Sequence, residues 1–189
     1  DRGYTGKISH WWDSCLLYDD VMIDWRYEGI ICGYVNLYRK TRDKKWLERA
    51  VKAGADCVRN QLPTGNFLNS NFQIGAIEGG TPHEAGVDIG LLELAKLLKE
   101  IKNERWKKYF LSAEKNIKNY LIGQLWNGGG FQDQPWNPVL VPNKNATIIE
   151  ALLLYGELSR KNMKKYIEKA GQVIIKAQVQ EGPAKGGII

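Results

Sequence analysis

Residues 46–62 read WLERAVKAGADCVRNQL, residues 106–125 read WKKYFLSAEKNIKNYLIGQL, and residues 166–179 read YIEKAGQVIIKAQV. Each stretch opens on an aromatic residue, and the three aromatic residues stand 60 positions apart. Each stretch then continues with apolar residues at helical spacing and with lysines or arginines between them. Three copies in one register predict an internal helical repeat.

A more apolar segment precedes each of these stretches. These segments predict inner helices, apolar around most of their circumference and therefore covered on both sides, over about residues 22–41, 82–100 and 144–160. The amphipathic stretches predict outer helices, each with one lysine-rich exposed face, over about residues 44–62, 104–125 and 163–181. We therefore predict an all-α fold, an (α/α) toroid-like array of three helical hairpins that forms a single domain or part of one over residues 1–189. The predicted hairpins span about residues 22–62, 82–125 and 144–181.

Local signals mark the ends of several of these helices. Residues 81–84 read TPHE, which is typical of a capping box, with Pro82 at the first helical position and Glu84 as its acid. Asp43, Asn103 and Asn162 are candidate N-caps of the three outer helices.

The connections differ in length. Turns within the hairpins are short, whereas residues 63–81 and 126–143 form long loops between hairpins. In an up-and-down array these loops, together with residues 1–21, emerge at one end, here called the long-loop end. Long loops in a compact domain are usually functional or disordered, and these are rich in glycine, asparagine and aromatic residues. The long-loop end is therefore the predicted position of a functional site.

Composition excludes several classes of function. The 189 residues carry a net charge of +6, but the lysines are spread over helix faces without an arginine-rich arm, so we expect no nucleic-acid partner. No apolar run approaches the roughly 18 residues of a membrane span, so no membrane partner is expected. Three cysteines without a C-x-x-C pair and two histidines show no metal-ligand spacing, so no metal and no cofactor is predicted. Free buried cysteines favour a cytoplasmic location.

Acidic residues recur at equivalent positions near the starts of two inner helices. Asp24 and Glu28 are four residues apart, and Glu84 and Asp88 repeat the pair 60 residues later. Paired carboxylates there would supply a general acid and a base or nucleophile for glycosidic chemistry. The alternative is that acids in a first helical turn only favour the helix dipole and caps. The candidate catalytic residues are Asp19, Asp20, Asp24, Asp88 and, as a proton shuttle, His83.

Aromatic and amide side chains accumulate in the same loops. Aromatic rings stack on the apolar faces of sugars, and asparagine and aspartate bind the hydroxyl groups. The candidate substrate-binding residues are Trp11, Trp12, Trp136, Asn71 and Asp133. The alternative interpretation is that the aromatic residues only plug the loops against the helices.

Residues 31–50, ICGYVNLYRKTRDKKWLERA, resemble the LxxLYxxTGDxxYLExA signature of the six-hairpin glycosidase-like superfamily. The GGGF sequence at residues 128–131 is similar to a loop in the same proteins. That superfamily includes unsaturated glucuronyl and rhamnogalacturonyl hydrolases, N-acylglucosamine 2-epimerases and several glycosidases. The resemblance implies an active site at the long-loop end, with Asp19, Asp20, Asp24 and Asp88 as acids and Trp11, Trp12 and Trp136 as its wall.

The resemblance also implies that three hairpins are half of a six-hairpin barrel. A homo-oligomer or a missing C-terminal half would then complete the ring. Two functions follow from these patterns. The first is a carbohydrate-active enzyme of the glycoside hydrolase or sugar epimerase type, with a carbohydrate substrate. The second is a helical repeat that binds glycan or protein without catalysis.

Overall fold

The computed structural model describes residue 23, residues 25–67 and residues 81–188. Within these residues the chain is all-α, as predicted, and forms six α-helices. They are α1 (Arg26–Thr41), α2 (Lys44–Arg59), α3 (Thr81–Glu100), α4 (Trp106–Asn116), α5 (Pro142–Ser159) and α6 (Lys164–Lys176). A π-helical segment, Ile117–Leu125, continues α4. In this part of the chain none of the helices is long and apolar enough to cross a membrane.

The helices form two layers. In the inner layer α3 packs against α1 on one side and α5 on the other, and α2, α4 and α6 each pack on the inner helix that precedes them. Arg39 on α1 pairs with Glu93 and Glu100 on α3, and Lys96 on α3 pairs with Glu157 on α5. Later residues of one inner helix thus contact later residues of the next, so the inner helices run parallel and start at the same end.

Burial of the inner helices differs from the prediction. From Glu84 to Leu98, α3 is buried except at Glu93 and Lys96, which are partly exposed. In α1 the buried residues form one stripe, Tyr27, Ile31 and Val35. The prediction that an inner helix is covered on both sides by other helices is therefore wrong for α1. It is also wrong for α5, which has exposed residues along its length. The reason is position, because among the described helices α3 has an inner helix on each side whereas α1 and α5 each have one.

The outer helices are half exposed, as predicted, but two of them end differently. The last one stops at Lys176 rather than near residue 181, and only Ala170 among its residues is fully buried. The middle one changes from α-helix to π-helix at Ile117. The sequence pattern does not separate the two helix types, because both keep Ile117, Leu121 and Leu125 on the buried side.

The turns within the hairpins repeat their chemistry. The side chains of Asp43, Asn103 and Asn162 each accept a hydrogen bond from the backbone N–H two residues later, at 2.9–3.1 Å. The N-cap prediction is confirmed for Asp43 and wrong for Asn103 and Asn162, because Arg105 and Met163 are the N-caps of α4 and α6. Asp43 is itself the N-cap of α2, whereas the other two stand one or two residues before theirs.

A glycine substitution would test the packing of the two layers. A Cβ atom at Gly54 on α2 would lie 2.6 Å from Leu94 Cδ2 and 2.9 Å from Tyr109 Cε1, both on buried side chains. We expect Gly54→Ala to lower the free energy of unfolding by about 1–3 kcal/mol through overpacking. Urea denaturation followed by circular dichroism measures the change.

Gly33→Ala on α1 is the matched control, because nothing lies within 4 Å of a Cβ at that exposed position. Alanine there should stabilise the protein by about 0.4–1 kcal/mol, since a helix interior disfavours glycine. Equal effects of the two substitutions would contradict the described contact between α2, α3 and α4.

Candidate functional site

Two fully buried carboxyl groups lie one helical turn apart near the start of α3. Glu84 Oε2 accepts hydrogen bonds from the backbone N–H of Phe67 at 2.9 Å and from Asn116 Nδ2 at 2.8 Å. Within the described part of the chain, no hydrogen-bond donor reaches Glu84 Oε1 or either oxygen of Asp88. Both side chains have no exposed surface. A buried carboxyl group without a hydrogen-bond partner costs free energy when it is ionised. A pair of such groups is therefore unusual if its role is only structural.

The surroundings of the pair favour the protonated form of both groups. Burial raises the pKa of Glu84 to about 8, although the bonds from Phe67 and Asn116 act in the opposite direction. Burial also raises the pKa of Asp88 well above its usual value, and the negative charge of Glu84 adds to the effect. Burial therefore favours the protonated form of Asp88, which is the form that donates a proton in general acid catalysis.

Glu84 also joins three parts of the structure. Phe67 forms a β-bridge with Gln61 at the end of the loop that follows α2. Asn116, at the end of α4, donates both to Glu84 and to the backbone oxygen of Gly65 in that loop. The described partners of Glu84 therefore do not support the predicted capping box. They lie on the loop and on α4, whereas a capping box needs a partner at the start of α3. The reason is that the buried N–H of Phe67 needs an acceptor, and Glu84 is in reach of it.

In the next hairpin, a neutral side chain accepts the corresponding hydrogen bond from a buried backbone N–H. Phe131 bridges to Trp126 after a glycine-rich turn, and its N–H donates to Asn145 Oδ1 at 2.9 Å. Asn145 Nδ2 in turn donates to the backbone oxygens of Phe131 and Val141. A single buried amide thus does what Glu84 and Asn116 do together. The fold therefore does not require a carboxyl group at this place.

Sequence reasoning did not find Asn116 or Asn145. The two anchored phenylalanines are 64 residues apart and the two acceptors are 61 apart, so neither pair falls on the 60-residue period. The available signal was a phenylalanine after a glycine turn, followed by a polar residue in the first turn of the next apolar helix.

Glu28 reaches α3 in the same region. Gly86 allows the approach, because a Cβ atom there would lie 3.2 Å from Glu28 Oε2 and 3.2 Å from the Cα of Trp25. Partial burial raises the pKa of Glu28, and the negative charge of Glu150 on α5 raises it further. Glu28 is thus a third carboxyl group near the turn of α3 that carries Glu84 and Asp88.

Several predicted site residues cannot be compared with the structure. Asp19, Asp20, Asp24, Trp11, Trp12 and Asn71 lie outside the described residues, and of His83 only the backbone is described. Among the predicted site residues that the structure describes, only Asp88 therefore lies in the same region as Glu84 and Asn116. The other assignments stay predictions.

Two predicted binding residues lie in the loop between the second and third hairpins. Trp136 is 56% exposed. The carboxylate of Asp133 contacts Lys144 on α5 and accepts a hydrogen bond from Asn137 Nδ2 at 3.1 Å. Asp133 thus holds the turn that carries Trp136 against the start of α5.

An open groove of about 480 Å³ lies beside Trp136. The loop after α2 and the π-helical segment form its other walls. The residues that line it are Leu62, Pro63, Thr64, Asn66, Tyr120, Gln124, Pro135 and Trp136, none of which carries a charge. Glu84 and Asp88 do not line the groove, but Glu84 binds the backbone of Phe67, the residue that follows Asn66.

Other loop aromatics pack inward. The rings of Trp126 and Phe131 lie 5.0 Å apart between centroids, and Trp126 also meets Tyr166 on α6 at 4.9 Å. The plug interpretation therefore describes Trp126 and Phe131. It does not describe Trp136, whose ring is mostly exposed.

Among the described residues, no group of three or more histidine, cysteine, aspartate or glutamate side chains is arranged to hold a metal ion. No protein-family model matches the chain, and no curated protein matches its sequence. The carboxyl pair and the groove are therefore the features that support a function.

The raised pKa of Glu84 predicts a specific pH dependence of stability. A group whose pKa is higher in the folded state binds more protons there, so stability falls as the pH rises between its two pKa values. For Glu84 the window is about pH 4.5 to 8. In this window the free energy of unfolding of the wild type should fall as the pH rises. We expect this fall to be smaller in Glu84→Gln, by up to about 1.4 kcal/mol per pH unit.

Glutamine keeps an acceptor for Phe67 and Asn116, so the variant should fold. Urea denaturation at a series of pH values measures the slope. Glu168→Gln, which removes an exposed carboxylate on α6, is the control and should keep the wild-type slope. A wild-type slope in Glu84→Gln would show that Glu84 is not protonated in the folded protein near neutral pH.

Proposed function

We propose that this chain is a carbohydrate-active enzyme of the glycoside hydrolase type, with its catalytic carboxyl groups at the long-loop end. The observation that carries the proposal is the buried pair Glu84 and Asp88, in which Asp88 has no hydrogen-bond partner among the described residues. In the third hairpin Asn145 takes the place of Glu84, and four residues later stands Ile149, an apolar and partly buried residue. An acid is thus kept where an apolar side chain would pack, which supports a role in chemistry.

Asp88 has the properties of the general acid in this reaction. A carboxylic acid that is neutral at pH 7 protonates the leaving glycosidic oxygen, while a second carboxylate acts as base or nucleophile. Asp19, Asp20 and Asp24 remain our candidates for the second carboxylate, and His83 remains a candidate proton shuttle. The same pair of groups would also serve a sugar epimerase, in which one group removes a proton and the other returns it.

The groove beside Trp136 is the proposed sugar-binding surface. The exposed indole offers a face for stacking on a sugar ring, and the exposed amide of Gln124 would bind a hydroxyl group of the substrate. Since the described residues that line the groove carry no charge, we propose a neutral sugar at this position. Asp133 would act by holding the turn that carries Trp136, and Trp11, Trp12 and Asn71 remain candidate contacts.

The three hairpins are, in this proposal, part of an (α/α) toroid of the six-hairpin glycosidase-like kind. Exposed apolar side chains on the last hairpin support it, since Leu153 on α5 and Ile175 on α6 are 56% and 58% exposed. A further hairpin, from a second copy or from a longer chain, would cover them as α5 covers α3. Cys32 and Cys57 form no disulfide, which fits the proposed cytoplasmic location.

A second function is favoured by one observation. Glu84 and Asp88 are fully covered and lie outside the groove beside Trp136, which is open. A helical repeat that binds glycan or protein through this groove without catalysis would have the same arrangement. In that case the carboxyl pair would serve only the packing of the loop after α2.

Hydrolysis assays on a panel of neutral and acidic oligosaccharides separate the two functions. If Asp88 is the general acid, Asp88→Asn should lower kcat about 10²- to 10⁴-fold, with little change in KM. Trp136→Ala should instead raise KM and reduce the quenching of tryptophan fluorescence by the sugar. Val139→Ala, which shortens another exposed side chain of the same loop, is the matched control and should change neither value.

The possible results lead to different conclusions. Binding that Trp136→Ala abolishes, with no hydrolysis or epimerisation by the wild type, would support the binding module. Full activity in Asp88→Asn would remove the proposed general acid. No binding of any sugar by the folded protein would count against both carbohydrate functions.

A further inference from the structure

A second cavity lies on the outer surface, at the end of the array opposite to the long loops. It has a volume of about 560 Å³ and lies between α2 and the turn that joins α3 to α4. Pockets of about 300–1,000 Å³ are the usual size for small organic ligands. It shares no lining residue with the groove beside Trp136, so the inference drawn from it is independent of the proposed function.

Apolar side chains form the wall of this cavity. Leu47, Val51 and Ala55 follow one another at helical spacing along α2, and Tyr38 and Ile101 face them from the ends of the neighbouring elements. All five are partly buried. The cavity therefore exposes a continuous apolar surface that a ligand would remove from water at a gain of about 25 cal/mol per Å².

The rim of the cavity is mainly cationic. Lys44, Lys52 and Arg105 line it, against one acid, Glu48. Arg42 adds a further positive charge nearby, with its guanidinium carbon 6.0 Å from the centre of the Tyr38 ring. Because the charges are at the rim and the wall is apolar, an occupant with one anionic end and an apolar body would match both.

The repeat shows that this surface is not a consequence of the fold. A shift of 60 residues converts Leu47, Ala55 and Ile101 into Lys107, Lys115 and Lys161. Those lysines have polar partners, since Lys107 pairs with Glu104, Lys115 donates to the backbone oxygen of Leu62, and Lys161 pairs with Glu114. Tyr38 and Val51 correspond to Leu98 and Leu111, so three of the five wall positions differ in polarity between the two gaps.

We propose that this cavity binds an amphipathic carboxylate, a small molecule with an anionic head group and an acyl or similarly apolar tail. The tail lies along Leu47, Val51 and Ala55, and the head group lies among Lys44, Lys52 and Arg105. The site belongs to the junction of the first two hairpins and makes no use of Glu84 or Asp88.

Three probes with the same tail and different charge test the proposal on the full chain. They are decanoate, decanol and decyltrimethylammonium, each titrated by calorimetry and by ¹H–¹⁵N NMR. We expect decanoate to bind at one site, with shifts centred on Leu47, Val51 and Ile101. Decanol should bind about tenfold more weakly, and the cation more weakly still, because the head group loses its charge-assisted contacts.

Variants separate the wall from the rim. Ala55→Lys, which copies the residue found at position 115, should weaken decanoate binding about tenfold although it adds a positive charge. Arg105→Gln should weaken binding several-fold, and Glu48→Gln should strengthen it. Lys165→Gln, at the repeat position that corresponds to Arg105, is the matched control and should have no effect.

Several results would overturn the proposal. They are equal affinities for decanoate and decanol, wild-type affinity in Ala55→Lys, shifts centred elsewhere, or no binding of decanoate by the wild type. If circular dichroism shows that Ala55→Lys is unfolded, Leu47→Lys replaces it, and the same loss of affinity is then required. Because Asp88→Asn leaves this cavity intact, its decanoate binding should equal that of the wild type even if the carbohydrate proposal fails.

Discussion

The burial of α3 between α1 and α5 is the constraint on which the rest of the structure depends. A helix covered on both sides must be apolar around its circumference, or each polar group that it carries must have a partner. From Glu84 to Leu98 the chain meets this requirement with apolar residues, apart from the paired Glu93 and Lys96 and the two buried acids. The acids therefore stand out against a helix that otherwise follows a simple physical rule, and Asp88 departs from it furthest.

The loops between hairpins meet a related requirement. Each loop folds back onto the end of an outer helix and buries a phenylalanine, Phe67 or Phe131, together with its backbone N–H. A buried N–H needs an acceptor, and the two hairpins supply it with different chemistry, Glu84 with Asn116 in one case and Asn145 alone in the other. The geometry is shared, but only the first of the two hairpins uses an ionisable group. This difference between repeats is the reason that we propose a catalytic role near Glu84 and a purely structural role for Asn145.

The same comparison applies to the outer surface. Positions that carry lysines in the second gap between outer helices carry Leu47, Ala55 and Ile101 in the first gap. Repeated architecture thus serves as an internal control, since a feature that one hairpin has and its neighbour lacks is not required by the packing of helix on helix. Both the carboxyl pair and the apolar cavity belong to the first two hairpins, at opposite ends of the array, so neither depends on the other.

The sequence by itself determined the helices, their pairing into hairpins and the N-cap at Asp43, because these follow from short-range periodicity and local hydrogen bonds. It also singled out Asp88, since an acid one turn into an apolar helix is visible in the residue order alone. Only the tertiary structure decided which inner helix is covered on both sides, that Glu84 binds a distant loop, and that Asn116 and Asn145 take part. It also decided which loop aromatics are buried and which is exposed. The physical reason is that burial and partnership depend on which elements meet in space, and residues that meet across some 15 to 60 positions leave no mark in the local pattern.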